Sequence, residues 1–369
     1  MWKRLDRLVS TGLAALLLSA CAGGPQTAAV DDGVDRSNWY SEIVDHEFVE
    51  QYAVTPQPEG VAIIDSRPAR RYQPGHIPTA IHIPDTQFDQ YADRLPEDRS
   101  NLLIFYCGGV QCPLSHQSAR RAEALGYENI KVYAAGMPDW KAAGGLVSVG
   151  AAHVRGLIEN GDPTVIIDSR PARRFNAGHI PTAINIPDSQ FDNLTHLLPA
   201  DKETPILFYC QGYVCPLSTN SAQQAKALGY TRVTTFSAGY PAWMAAYGDE
   251  PIQVATAELE NGAEEGTITV AAFRQLLEKG GNPAALIVDV RTTDEAANGT
   301  LPGAVNIPIG ELEGKLDTLP RNRPVIFFCS TGGRGGEAYD MAMMLAEGIE
   351  AYFVDAAVTI LADGSYSIE

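Results

Sequence analysis

The sequence predicts an α/β chain built from three tandem domains, each a small parallel sheet flanked by helices. Three observations carry that prediction. The block IIDSRPARRYQPGHIPTAIHIPDTQFD (63–89) recurs as IIDSRPARRFNAGHIPTAINIPDSQFD (166–192), with 22 identities in 27 positions. A single offset of 103 also relates His76 to His179, Cys107 to Cys210, Cys112 to Cys215 and Trp140 to Trp243, so the unit is duplicated without insertions. Within each unit, continuously apolar runs such as TVIID and NLLIFY alternate with helix-like segments, the pattern of parallel strands covered on both faces.

A more distant third copy starts near Thr267. There ALIVDVRTTDEAANGTLPGAVNIP answers the first block and VIFFCSTGGRGGEAYDMAMMLAEG answers the cysteine block. Each unit runs in one order. A helix-like segment (HVRGLIENG in the second) leads to a strand ending in Asp-x-Arg, and a short strand follows at IHIP, INIP or VNIP. A second helix-like segment precedes the apolar run before the cysteine. A long helix (SHQSARRAEALG), a strand (IKVYAA) and a Gly-x-Pro-x-Trp segment complete the unit. The expected domains are 41–145, 146–248 and 267–369, with an acidic, Gly-containing linker over 249–266.

The formal net charge of -18 over 369 residues argues against nucleic acid or anionic lipid as a direct partner. Six cysteines are too few for a disulfide-built scaffold. The first of them closes a leader. MWKRLDRL is basic, and GLAALLLSA is an apolar run too short to span a bilayer as a mature helix. Residues 1–21 read as a signal peptide whose end, LSAC, resembles the lipobox of bacterial lipoproteins. On that reading Cys21 is the lipidated N-terminus, residues 22–40 are a flexible tether, and Ala22 favours the outer membrane. The chain is then expected on the periplasmic side of the cell envelope, touching the membrane through its lipid anchor only. A plain signal peptide ending near a cysteine is the alternative.

The cysteine loops carry the chemistry. FYCGGVQCPLS (105–115) and FYCQGYVCPLS (208–218) each place a cysteine at the carboxyl end of a strand, just before a helix. Sites gather at that end of parallel sheets, and free amides at a helix start favour an anion. A cysteine there is expected to be a thiolate nucleophile, its pKa lowered. Cys107, Cys210 and Cys329 hold this place in the three copies. The loop amides, at Gly108, Gly109, Gly212, Gly332 and Gly333, are expected to cradle a persulfide or oxyanion. Five residues on stand Cys112, Cys215 and Arg334. For Cys112 and Cys215 three readings stay open: a small apolar filler, a resolving thiol, or a metal ligand, for which the spacing is poor. The loops of the first two copies are expected to bulge. His76 and His179 read as hydrogen-bonded structural residues, and Trp140 and Trp243 as core anchors.

Taken together, Asp-x-Arg, Gly-His-Ile-Pro-x-Ala-x-x-Ile-Pro, the strand-end cysteine loop, the helix closing in Leu-Gly-Tyr and the Gly-x-Pro-x-Trp tail resemble the rhodanese family over residues 41–369. The resemblance implies sulfane-sulfur transfer: a thiolate takes sulfur from a small anion such as thiosulfate, holds it as a persulfide and passes it to cyanide or a thiol. Carried over, it makes Cys107, Cys210 and Cys329 the catalytic residues, and Arg334, in the six-residue loop CSTGGR, a donor-binding residue. Arg67, Arg170 and Arg291 of Asp-x-Arg are carried over with the substrate site. The third copy departs at Thr300, where the family has histidine, and in its closing VDAAVTILADG. No organic cofactor is expected, since neither a P-loop nor a dinucleotide fingerprint is present, and no metal. Two other readings remain: a partner-binding scaffold with partly inactive domains, or a periplasmic dithiol–disulfide exchanger using the paired cysteines. A relative of the phosphatases is disfavoured, because the residues six beyond Cys107 and Cys210 are Pro113 and Pro216.

Overall fold

The apolar runs become the middle strands of three parallel sheets. In the first, β1 (Val61–Asp65), β2 (Ile81–His82), β3 (Leu102–Tyr106) and β4 (Ile130–Tyr133) lie in the order β2-β1-β3-β4. Every residue of β3 is buried, because helices cover both faces. The second sheet adds β5 (Val147–Ser148) to β6 (Val165–Asp168), β7 (Ile184–Asn185), β8 (Ile206–Tyr209) and β9 (Val233–Phe236), in the order β5-β9-β8-β6-β7. The third holds β10 (Leu286–Asp289), β11 (Val305–Asn306), β12 (Val325–Phe328) and β13 (Ala351–Phe353), in the order β11-β10-β12-β13. This computed structural model describes residues 36–248, 259–278, 285–361 and 364–369. The leader ending at Cys21, most of the tether and the first ten residues of the linker lie outside the described residues. No described helix is long and apolar enough to cross a membrane.

The middle-strand pairing is the same in each copy: Ile63 opposite Ile104, Ile166 opposite Leu207, and Ile287 opposite Ile326. It brings Asp-x-Arg and the cysteine to one edge, the carboxyl ends of adjacent strands. The expected bulge in the first two loops is present, but no residue has been inserted. The glycine closing the helix stands at the same distance from the cysteine in all copies (107 to 126, 210 to 229, 329 to 348). What differs is the helix start, at Leu114 and Leu217 in copies one and two but already at Gly333 in copy three. The longer loop consumes the first turn of the helix. After the last parallel strand, copies one and two form helices Gly136–Ala142 and Gly239–Tyr247, which bury Trp140 and Trp243. Copy three instead ends in an antiparallel ribbon of β14 (Val358–Ile360) and β15 (Tyr366–Ile368).

Neighbouring copies are stitched together. His76 and Ser148 exchange backbone hydrogen bonds at 2.8 and 2.9 Å, tying copy one to the edge strand of copy two. Copies two and three share one apolar core, in which Ile184, Ile186 and Leu197 lie in the same cluster as Leu312, Leu316 and Leu319. Each junction holds a histidine that burial keeps neutral. His76 stacks on Tyr72 at 3.9 Å, places its Nδ1 3.0 Å from the Tyr72 carbonyl, and has its pKa pushed down to about 4. His196, whose Nε2 is 3.1 Å from the Thr318 hydroxyl, is also pushed down to about 4, by burial and then by the charge of Lys315. An unfolded imidazole takes its proton near 6.5. Below that pH the unfolded state therefore binds more protons, so stability is full above about 6.5 and falls as pH drops toward 4. His76 alone is expected to withdraw up to about 3 kcal/mol across that window. Urea midpoints at pH 7 and pH 5 check this, and a midpoint that does not move would refute it.

Candidate active site

In copy one the chain leaves β3 directly into Cys107, which is 0% exposed. Its carbonyl accepts the Met137 amide at 3.1 Å. Its thiol donates to the Cys112 carbonyl at 3.1 Å, and the Ser115 hydroxyl donates to its sulfur at 3.3 Å. Gly109, at φ +111°, turns the loop so that the Cys112 amide reaches the Gly109 carbonyl at 2.8 Å. Pro113 then precedes the helix Leu114–Ala124, where its lack of an N–H costs nothing. This path leaves Cys112 only partly buried. Its sulfur stands two residues before the helix start, next to the main-chain amides of that turn.

Copy two repeats the arrangement. Cys210 is 1% exposed, its thiol donates to the Cys215 carbonyl at 3.0 Å, and Ser218 Oγ lies 3.2 Å from its sulfur. Gly212, at φ +104°, makes the equivalent turn.

This geometry reverses the expected electrostatics. The strand-end thiols were expected to be the lowered ones. Instead Cys107 and Cys210 are raised far above the ordinary thiol range, first by the neighbouring second cysteine and then by burial. Cys112 is lowered to about 6 by the Cys107 hydrogen bond, by the Gly108 and Leu114 amides and by the positive charge of Arg67. Cys215 is likewise lowered to about 6, by Cys210 and the amides of Gln211 and Leu217. The main cause is that the two thiols of each pair lie against each other, and the delayed helix, whose start follows the later cysteine by two residues, adds its amides to that side.

Copy three keeps a short loop. Cys329 is 1% exposed, and Gly332, at φ +85°, lets the helix start at Gly333. A side chain at Gly332 would collide with the Asp355 carboxylate, whereas Gly333 has open space around it. Arg334 lies beside Cys329 but does not stand free: its Nη1 and Nη2 donate to the two Glu295 carboxylate oxygens at 2.7 and 2.8 Å. That bidentate pairing holds the Glu295 carboxyl far below the usual range. The guanidinium that the resemblance makes a donor-binding residue is thus engaged by a carboxylate in this structure. By the spacing from Asp-x-Arg, Glu295 occupies the place of Arg71 and Arg174. Thr300 also finds a role. Its hydroxyl donates to Asp289 at 2.8 Å, supplying the bond that the Tyr106 hydroxyl gives Asp65 at 2.7 Å and that Phe328 cannot make.

The Asp-x-Arg arginines are structural, which corrects their expected place in the substrate site. Arg67, Arg170 and Arg291 are 7, 3 and 6% exposed, over carboxylates that are 0% exposed. In each, Nε donates to the aspartate and Nη2 to both the aspartate and a turn carbonyl, that of Gly75, Gly178 or Gly299, at 2.7 to 2.8 Å. The charge of Arg67 is felt at Cys112. Sequence reasoning missed Ser115 and Ser218, although the repeated Cys-Pro-Leu-Ser was the available signal. It also missed Glu295. Among the described residues no group of three or more His, Cys, Asp or Glu side chains converges as a metal ion would need.

The Rhodanese-like domain family matches the chain three times, over residues 49–143, 151–246 and 269–366. The chain belongs to the rhodanese-like family. The human thiosulfate:glutathione sulfurtransferase is 37% identical over 93 residues, which are 21% of this rhodanese-like chain and 78% of the human enzyme. An HTH-type transcriptional regulator of Mycobacterium tuberculosis is 40% identical over 94 residues, 25% of this chain and 39% of that protein. A sulfurtransferase of Allochromatium vinosum is 34% identical over 53 residues, 14% of this chain and 50% of its own length. The chain thus spans most of the human relative and half or less of the other two. Among solved structures, a thiosulfate sulfurtransferase from Pseudomonas aeruginosa aligns over 85% of this chain and 66% of its own, at 18% identity and a TM-score of 0.25.

Proposed function

We propose that this rhodanese-like chain is a cell-envelope sulfurtransferase. It takes sulfane sulfur from a thiosulfate-like anion, holds it as a cysteine persulfide and passes it to a thiol or to cyanide. The observation that carries this reading is the loop of copies one and two. A partly exposed thiol, two residues before a helix start and with a buried cysteine thiol donating to its carbonyl, stands twice at the carboxyl edge of a parallel sheet. Such a sulfur is both a nucleophile and a seat for a persulfide anion. Cys329 gives copy three a third thiol at the same edge. The leader ending in LSAC supports a lipid anchor at Cys21 and hence the envelope location. The test is mass spectrometry of the mature protein after thiosulfate, with single Cys→Ser variants and cyanide as acceptor. An adduct of one sulfur atom, removed by cyanide as thiocyanate, is expected. Absence of any adduct on all five cysteines past the leader would sink the reading.

A further inference from the structure

We infer that in copies one and two the sulfur-accepting thiols are Cys112 and Cys215, and that the buried Cys107 and Cys210 are resolving thiols that expel the stored sulfur as hydrogen sulfide. The inference rests on the sulfurtransferase reading and reverses the roles that position in the sequence suggests. Three observations carry it. First, access is unequal: Cys107 and Cys210 are 0 and 1% exposed, while Cys112 and Cys215 are partly exposed. Within each paired loop a donor therefore meets the outer sulfur first, whereas copy three, whose Cys329 is also 1% exposed, offers no outer thiol to compete with it. Second, the helix begins at Leu114 in one copy and Leu217 in the other, two residues after the outer cysteine and seven after the inner one, so the free amides of its first turn open beside the outer sulfur. Third, the inner thiol is in direct contact with its partner cysteine, donating to that residue's carbonyl at 3.1 and 3.0 Å, with a serine hydroxyl at 3.3 and 3.2 Å from its sulfur. Ser115 and Ser218 are then positioning residues, placed to stabilise the inner sulfur as it loses its proton.

The steps balance. The Cys112 thiolate attacks the sulfane sulfur of thiosulfate, the S–S bond breaks, and sulfite leaves with the electron pair. The product is Cys112–S–S⁻. Once that persulfide is protonated, the Cys107 thiol attacks its inner sulfur. A Cys107–Cys112 disulfide forms, the persulfide bond breaks, and the outer sulfur leaves as hydrogen sulfide, carrying the proton that Cys107 gives up. The sulfane sulfur is reduced and the two thiols are oxidised. An external dithiol reductant then resets the loop. Copy three lacks this route, because Arg334 stands where the second thiol would be. It has to hand its sulfur to an external acceptor.

The full mature chain, treated with thiosulfate and no thiol, decides the matter. The expected result is one equivalent of sulfide from each paired loop, disulfides 107–112 and 210–215, and a persulfide remaining only on Cys329. In Cys107→Ser/Cys210→Ser the persulfide should stay on Cys112 and Cys215, with sulfide release lost. In Cys112→Ser/Cys215→Ser neither loop should carry an adduct, while Cys329 still loads and so reports a folded protein. A persulfide on Cys107 or Cys210 in that last variant would overturn the inference and leave the sulfurtransferase reading intact. So would loading at Cys329 with none at Cys112 in Cys107→Ser, provided Cys107→Ala behaves the same. A wild-type chain with no adduct, no sulfide and no disulfide anywhere would fail the sulfurtransferase reading itself.

Discussion

Arg170→Met is expected to take about 3 to 5 kcal/mol from the second domain, the cost of leaving one partner of a buried ion pair alone. Asp168 is 0% exposed, and it accepts from the Arg170 amide at 2.9 Å, from Nε at 2.9 and 3.0 Å, and from Nη2 at 2.6 Å. Arg170 also ties this carboxylate to the Gly178 carbonyl across the turn at 2.7 Å. Methionine fills much of the same volume but returns none of these bonds, so the aspartate must stay charged and unpaired or take up a proton. A domain of this size is held by roughly 5 to 15 kcal/mol in all, so the loss is a large share of the total. Guanidinium titration followed by Trp243 fluorescence measures it. The double variant Asp168→Leu/Arg170→Met should recover most of the loss, since it removes both charges together. A parent-like midpoint for the single variant would refute the structural role and return Arg170 to the substrate site.

The second large effect is expected at the loop. Gly136 sits at φ +60°, and a Cβ there would lie 2.5 Å from the Cys107 carbonyl oxygen and 2.9 Å from the Gly109 nitrogen. Gly136→Ala therefore meets two costs: left-handed backbone for an L-residue, about 1 to 2 kcal/mol, and overlap with the main chain of the cysteine loop. The loop has to move, and the Cys107 carbonyl loses its bond from the Met137 amide. Displacing a reacting group by about an ångström costs up to about a hundredfold in rate. Sulfur loading of the copy-one loop should fall roughly tenfold to a hundredfold, while Cys329 in the same chain loads as before. Peptide-resolved mass spectrometry over a time course reads both. Equal loading of the two loops in variant and parent would show that Gly136 does not position the site.

Much of this molecule is legible in its sequence, and the places where it is not share a cause. The three sheets follow from runs such as VII in TVIID and LLIFY in NLLIFY, whose successive apolar positions between turn signals read as strands covered on both faces. The edge that carries the site follows from strand–cysteine–glycine–helix order. Asp-x-Arg misled because an arginine on paper is a charge available to an anion. Whether it is spent depends on burial, and the carbonyls of Gly75, Gly178 and Gly299 that complete its shell come from a turn eight residues away. Arg334 misled in the same way, since its carboxylate partner lies 39 positions earlier in the chain.

The sequence by itself determined that there are three copies, that each is a parallel α/β domain, and that a thiol chemistry sits where a strand hands over to a helix. Periodicity, the constant offset and local backbone preference are all one-dimensional, so one dimension suffices to read them. Only the tertiary structure decided which sulfur of FYCGGVQCPLS faces solvent. That depends on where the helix begins after the loop. With the start at Leu114, the helix opens just after a partly exposed Cys112, while Cys107 is buried at the strand end as Cys329 is in copy three.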